Sequence, residues 1–248
     1  MLTSLRTACG ILRSLRIYYG NQKRAAAMDR HYGQFVGRGD LAFDIGAHVG
    51  DRIAAFRRLG ARVVAAEPQP ALVKVLRWMY RRDDAVVIES VAVGQSRGTT
   101  QLKINVANPT VSTASDAFIG AARSAPGWEA QTWTRTLRVP MTTLDALIAR
   151  HGVPAFIKID VEGFEAEVLA GLAQTVPALS FEFTTIQRDV AMACIERLRT
   201  LGYARFNAAL GESQALVHGV WVDADAIAGW LAELPHTANS GDVYAVIG

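Results

Sequence analysis

Asp44, Gly46, Gly50 and Glu67 stand in the stretch "LAFDIGAHVGDRIAAFRRLGARVVAAEPQP", residues 41–70, and their types and spacing are those of a binding turn. Gly46 and Gly50 bracket Ala47, His48 and Val49, so the backbone can pass close to a ligand with no Cβ in the way. A helix starting near Gly50 presents free N–H groups, which favour an anionic group such as a carboxylate. Glu67 can accept two hydroxyl hydrogen bonds from a ribose in a charge-assisted, roughly bidentate way. Pro68 cannot continue a strand ladder and ends the strand at that acid.

The second group of reactive residues lies in "FIKIDVEGFEAEVLAGL", residues 156–172. Lys158, Asp160 and Glu162 alternate, which predicts one shared strand face. An apolar strand accepts three charges when they are paired or serve a site. Glu182, in "ALSFEFTT", falls at the same depth of the next strand. A hydroxyl that attacks an electrophilic carbon must lose its proton, and a carboxylate or His can take it. Asp160 is the first candidate for base or acceptor-orienting residue, followed by Glu182 and Glu162. The competing reading pairs Lys158 with Glu182 as a structural ion pair. Glu165 and Glu167 read as solvated. Asp160, Glu182 and a third carboxylate would suit Mg²⁺, but no spacing demands it and no metal is expected.

The elements that must position these residues follow from periodicity and breakers. The apolar run Leu41–Ile45, a helical stretch ending at Gly60, and the run from Arg62 to Ala66 form a β–α–β unit. Repeated strand–helix alternation onward to Ile247 predicts an α/β fold, a Rossmann-like, mostly parallel sheet with helices on both faces. In such sheets ligands bind beyond the carboxyl ends of the strands. Residues 1–39 read as an N-terminal helical segment of the same unit, and 40–248 as the main domain. A hairpin is inserted at about 95–140, where "GTTQLKINVA" and "TWTRTLRVPM" alternate in polarity. The Ser/Ala/Gly-rich stretch between them reads as a mobile loop. A strand is expected over Ala215–Val222 and a helix over Ala224–Leu234. The N-terminal helix, the 107–130 loop and the 207–240 segment are expected to close over the strand ends, with Phe118, Trp128, Trp133 and Trp221 as candidate lining.

Composition narrows the function classes. The chain has 248 residues, half of them apolar, and a formal charge of +3. No apolar run approaches the ~18 residues of a membrane span, so no stable membrane insertion is expected. Arg6, Arg13 and Arg16 interrupt any signal-peptide core. Residues 1–39 carry seven Lys/Arg against Asp29 alone, a pattern of a solvated amphipathic helix, an acidic substrate or a membrane surface. No aromatics alternate with these basic residues, which argues against nucleic acid. Cys9 and Cys194 fit a reducing cytoplasm.

The choice of cofactor turns on the glycine spacing. A dinucleotide requires G-x-G-x-x-G for its pyrophosphate. This chain offers D-x-G-x-x-x-G, which suits S-adenosyl-L-methionine: Asp44 for its cationic portion and Glu67 for its ribose. A nucleotide-dependent oxidoreductase and a non-catalytic cofactor- or partner-binding module remain the alternatives.

"FDIGAHVG", "EPQP", "VAVG", "TTLDALI", "IKIDVEGFEAEVLAGL", "FEF" and "GDVYA" occur in that order. This order resembles the FkbM-type methyltransferases, a class I family, from about residue 40 to residue 247. The resemblance implies adenosylmethionine-dependent O-methylation of a hydroxyl on a small molecule, sugar or other secondary metabolite. It also implies that Asp44, Gly46, Ala47, His48, Gly50 and Glu67 hold the cofactor. Pro68 and Asp160 join that set, and Ser90, Val91 and Ala92 would lie beside the adenine. His48 departs from the family, in which Asn is commoner. A His still donates a hydrogen bond, and its ordinary pKa of about 6.5 would also suit a base.

Overall fold

All five residues of Leu41–Ile45 (β1) are buried, as a central strand covered on both faces requires. The computed structural model describes the backbone of residues 2–248 and the side chains of residues 7–248. Met1 and the side chains of residues 2–6, Arg6 among them, lie outside the described residues. Leu2–Tyr19 (α1) and Gln22–Tyr32 (α2) precede the strand, the second capped by Asn21, which accepts from Arg24 N at 3.1 Å. After β1 come Asp51–Arg58 (α3), Arg62–Ala66 (β2), Pro70–Met79 (α4), Val86–Glu89 (β3), Ala92–Val93 (β4) and Gly98–Ile104 (β5). Asp116–Ser124 (α5), Arg135–Thr142 (β6), Leu144–His151 (α6), Phe156–Ile159 (β7), Glu165–Ala170 (α7) and Ala178–Thr184 (β8) follow. Arg188–Thr200 (α8), Tyr203–Leu210 (β9), Ala224–Glu233 (α9) and Ser240–Ile247 (β10) complete the order.

The main sheet has the order β3-β2-β1-β7-β8-β10-β9. Neighbours from β3 to β8 are parallel, and β10 runs antiparallel to both β8 and β9. This is the Rossmann-like α/β architecture that the alternation predicts. Phe43 and Ile45 point into a core shared with α6, α7, α8 and α9. Ala42 points to the other face, against Tyr32 of α2 and Phe56 of α3. Each large apolar side chain buried this way contributes about 1.5–3 kcal/mol. From β1 the chain builds outward to β2 and β3 on one side and to β7 and β8 on the other. The carboxyl ends of β1 and β7 therefore flank the switch point where a ligand crevice opens. Among the described residues no helix is long and apolar enough to cross a membrane.

The insertion forms a second sheet, β4-β6-β5, around the antiparallel pair β5 and β6. The stretch between those strands, read as a mobile loop, holds a 3-10 turn at Pro109–Val111 and α5, whose Ser115 accepts from Phe118 N at 3.0 Å. Two further expectations are corrected. No strand covers Ala215–Val222, apart from one bridge between Phe206 and Val222. Asn207 occupies the backbone groups of His218 instead: its Nδ2 donates to His218 O and its Oδ1 accepts from His218 N. The sheet edge is β9, whose alternation Asn207 and two alanines obscure in sequence. Finally, β7 ends at Ile159, so Asp160 and Glu162 do not continue its pleat.

Candidate functional site

The glycine turn leaves β1 at Gly46, whose φ of 88° suits glycine and whose absent Cβ would lie 1.7 Å from Asp160 O. A side chain there would push the ends of β1 and β7 apart. Gly50, at φ 81°, is the N-terminal cap of α3. Between them His48 N donates to Glu67 Oε2 at 2.9 Å, and Gln69 N donates to Glu67 Oε1 at 2.7 Å. Each carboxylate oxygen is thus fixed by one backbone N–H and keeps a second acceptor position. Burial pushes the Glu67 carboxyl up to about 8 despite those two bonds. Asp44 is buried with Oδ2 unpartnered, and burial raises it to about 7. Asp51, in the first turn of α3, pairs with Arg52 at 2.6 Å and Arg24 at 2.8 Å, and Glu212 joins both arginines.

Beyond β7 the chain turns sharply, with Glu162 at φ 56° and Gly163 at φ 84°. Glu165, read as solvated, is buried and accepts from Val161 N at 3.0 Å and Gly163 N at 3.2 Å. It holds the turn that brings Glu162 beside Asp160. The three charges converge through this turn and not through a common strand face. Lys158 does not pair with Glu182. Its Nζ lies 2.8 Å from Asp242 Oδ1 and 3.2 Å from Asp160 Oδ2. The reason is the antiparallel entry of β10, which sets Asp242 opposite Glu182. Burial pushes Asp160 up, but Lys158, Arg52 and a hydrogen bond with Glu182 outweigh it and hold the carboxyl below its ordinary range. Burial, reinforced by the charge of Asp160, raises both Glu162 and Glu182 well above theirs.

A cleft of ≈ 970 Å³, counted out to its open mouth, joins the two halves. Asp44, Gly46, Ala47, His48, Glu67, Pro68, Val91, Ala92, Asp160, Glu162 and Glu182 all line it. Gly50 and Ser90 lie outside its wall. All three segments expected to close over the strand ends reach it, through Tyr18, Thr110 and Glu212. The four candidate aromatics do not. Phe118 packs edge-on against Trp128 and Trp133, and Trp221 packs against Phe35. Tyr18 and Phe164 line the cleft in their place. Sequence reasoning also missed Gln69, whose Nε2 donates to Pro109 O at 3.2 Å and ties the insertion to the Glu67 turn. Its one local signal was its place directly after the Glu-Pro pair. The His48 ring sits 3.4 Å from Thr110 Oγ1, and burial pushes it down to about 4, so it is neutral near pH 7.

The profile of the Methyltransferase FkbM domain matches residues 44–214. No curated protein sequence matches the chain. Solved structures similar to it include the precorrin-6y C5,15-methyltransferase from Geobacter metallireducens, at 12% identity and TM-score 0.44, covering 92% of this chain and 89% of that one. The TehB-like SAM-dependent methyltransferase from Corynebacterium glutamicum has 10% identity and TM-score 0.44, over 90% and 88% of the two chains. The O-methyltransferase from Bacillus cereus in complex with SAH has 9% identity and TM-score 0.42, over 96% and 90%.

Proposed function

The chain belongs to the FkbM-domain methyltransferases, and from that premise we propose that it transfers the methyl group of S-adenosyl-L-methionine to a hydroxyl of a small-molecule or glycan acceptor. The observation that carries this reading is the Glu67 carboxyl group, locked by two backbone N–H groups in the wall of the cleft. Two further features fit the cofactor: the orphaned Asp44 Oδ2, and the space at Gly46 that any Cβ would fill.

When bound, adenosylmethionine supplies a methyl group activated by its sulfonium. Asp44, Gly46, Ala47, His48, Glu67 and Pro68 would hold it, with Gly50 shaping the turn from behind. Val91 and Ala92 form an apolar wall suited to an adenine, with Ser90 directly before them in the chain. Asp160, at the end of β7, borders both the cofactor set and the acceptor space. Lys158 keeps its carboxylate ionised, so Asp160 can orient an acceptor hydroxyl and take its proton. Glu162 and Glu182 stand beside it as further acceptor-facing groups. Alignment of the attacking oxygen in such a cleft is worth up to about 7–11 kcal/mol of barrier. Neutral His48 serves as a cofactor contact. The proposal includes a cytoplasmic setting, which the unpaired Cys9 and Cys194 favour.

The test is incubation with methyl-labelled donor and a panel of hydroxylated glycosides and phenols, followed by mass spectrometry of the products. Label on an acceptor oxygen supports the reading. Label on nitrogen or carbon, with none on oxygen, overturns the hydroxyl assignment.

A further inference from the structure

Asp160, Glu162 and Glu182 each present a carboxylate oxygen within 4.8 Å of the others. Carboxyl groups this close cannot all be ionised unless a cation lies among them, and without one they retain protons. Among the described residues only Asp160 of the three has a cationic partner. Lys158 is shared between Asp160 and Asp242, and Arg52 is held by Asp51 and Glu212. Glu165, the other carboxylate packed against the group, is engaged by Val161 N and Gly163 N. A second observation points to a missing partner. Glu162 is only 7% exposed, and its carboxylate accepts no hydrogen bond from any described residue. Glu182 Oε2 is fully enclosed and unpartnered.

We propose that Asp160, Glu162 and Glu182 form a site for a divalent cation of the Mg²⁺ or Mn²⁺ class. The donor set is all carboxylate oxygen, with no His or Cys, which selects hard cations. Mg²⁺–oxygen distances are about 2.0–2.1 Å and those of Ca²⁺ about 2.3–2.6 Å, so ligand oxygens across either ion lie about 4–5 Å apart. The observed spread therefore admits either with small side-chain adjustments. Three protein ligands leave coordination positions open toward the cleft. The use of those positions, to bind the oxygens of the acceptor, rests on the methyl-transfer reading; the cation site itself does not.

The experiment uses the full chain, stripped with a chelator and dialysed, and titrates it with Mn²⁺ while electron paramagnetic resonance follows the free ion. One site is expected, with a dissociation constant between about 10⁻⁶ and 10⁻³ M. Glu162→Gln should weaken it at least about tenfold, whereas Glu196→Gln, an exposed control, should leave it unchanged. Mn²⁺ should also raise the melting temperature of the wild type and not that of Glu162→Gln, which separates lost ligation from lost folding. No saturable binding, or equal binding by Glu162→Gln, overturns the proposal. So does competition between Mn²⁺ and S-adenosylhomocysteine, because the cluster would then be the counter-charge for the cofactor's ammonium. Titration of S-adenosylhomocysteine into the chelator-treated protein keeps the two readings apart. Binding there without any Mn²⁺ site removes only the cation, and its failure removes the methyltransferase reading whatever Mn²⁺ does.

Discussion

The two ends of the cleft are built on opposite terms. At the ends of β1 and β2, Glu67 is fixed by the N–H groups of His48 and Gln69, and Gln69 is itself fixed to the insertion. At the ends of β7 and β8, Glu162 and Glu182 crowd against Asp160 with one shared ammonium for compensation. The first end is organised before any ligand arrives, so its groups lose little freedom on binding. The second packs an ionised carboxylate against two carboxyl groups that burial pushes toward their protonated form, a cost already present in the fold that a cationic ligand relieves. Substitutions at the first end should therefore appear as lost affinity, and substitutions at the second as lost turnover or altered stability.

The largest effect expected is at the second end. Asp160→Asn should lower methyl transfer to an acceptor found by the labelled screen by about 10²–10⁴-fold. Its affinity for S-adenosylhomocysteine should stay within a few-fold of wild type, and a loss confined to affinity would erase the contrast between the ends. Lys158→Met comes next. It leaves Asp242 and Asp160 without their buried partner and should cost about 3–5 kcal/mol in denaturant unfolding. Glu67→Ala, at the first end, removes two hydrogen bonds to the cofactor's hydroxyls and should cost about 1.5–3 kcal/mol, or about 10–150-fold in cofactor affinity.

A pH titration sharpens the same contrast with a smaller effect. Burial raises Glu67 from 4.5 to about 8 and Asp44 from 3.8 to about 7. The folded state then holds protons that the unfolded state has released. This stabilisation is complete below the unfolded values and is lost as pH rises through the folded ones. The melting temperature of the cofactor-free protein should thus fall between about pH 5 and pH 8. Glu67→Gln should flatten the slope, and a slope unchanged in that variant would assign it to other groups. The smallest effect is expected from His48→Asn. The ring is already neutral, and its backbone N–H, which the substitution keeps, makes the bond to Glu67. Transfer should change less than about threefold, with no inflection near the ordinary histidine pKa of about 6.5.

The same division decides what could be read from sequence. The Glu67 end is local: Asp44, Gly46, Gly50, Glu67 and Pro68 fall within one β–α–β unit, and glycine spacing with an acid at the strand end constrains both backbone and ligand. The Asp160 end is assembled over distance. The partner of Lys158 is Asp242, 84 residues away, placed by the antiparallel insertion of β10 between β8 and β9. No period within 156–162 encodes that register, nor the turn at Glu162 that ends the strand early. Glu165 reads as solvated because acids in the first turn of a helix usually are. Here it is drawn inward by two N–H groups that need an acceptor. The aromatic residues of the insertion satisfy one another, and Trp133 also donates to Val111 O. Composition alone does not separate such a cluster from a pocket lining.

The most direct measurement is calorimetric titration of the purified chain with S-adenosylhomocysteine, run beside NAD and repeated with Glu67→Ala. The expected result is micromolar binding of S-adenosylhomocysteine, none of NAD, and an affinity about 10–150-fold weaker in the variant. Absence of binding, binding of NAD instead, or an unchanged affinity in Glu67→Ala would contradict the assignment of the Glu67 turn as the cofactor site.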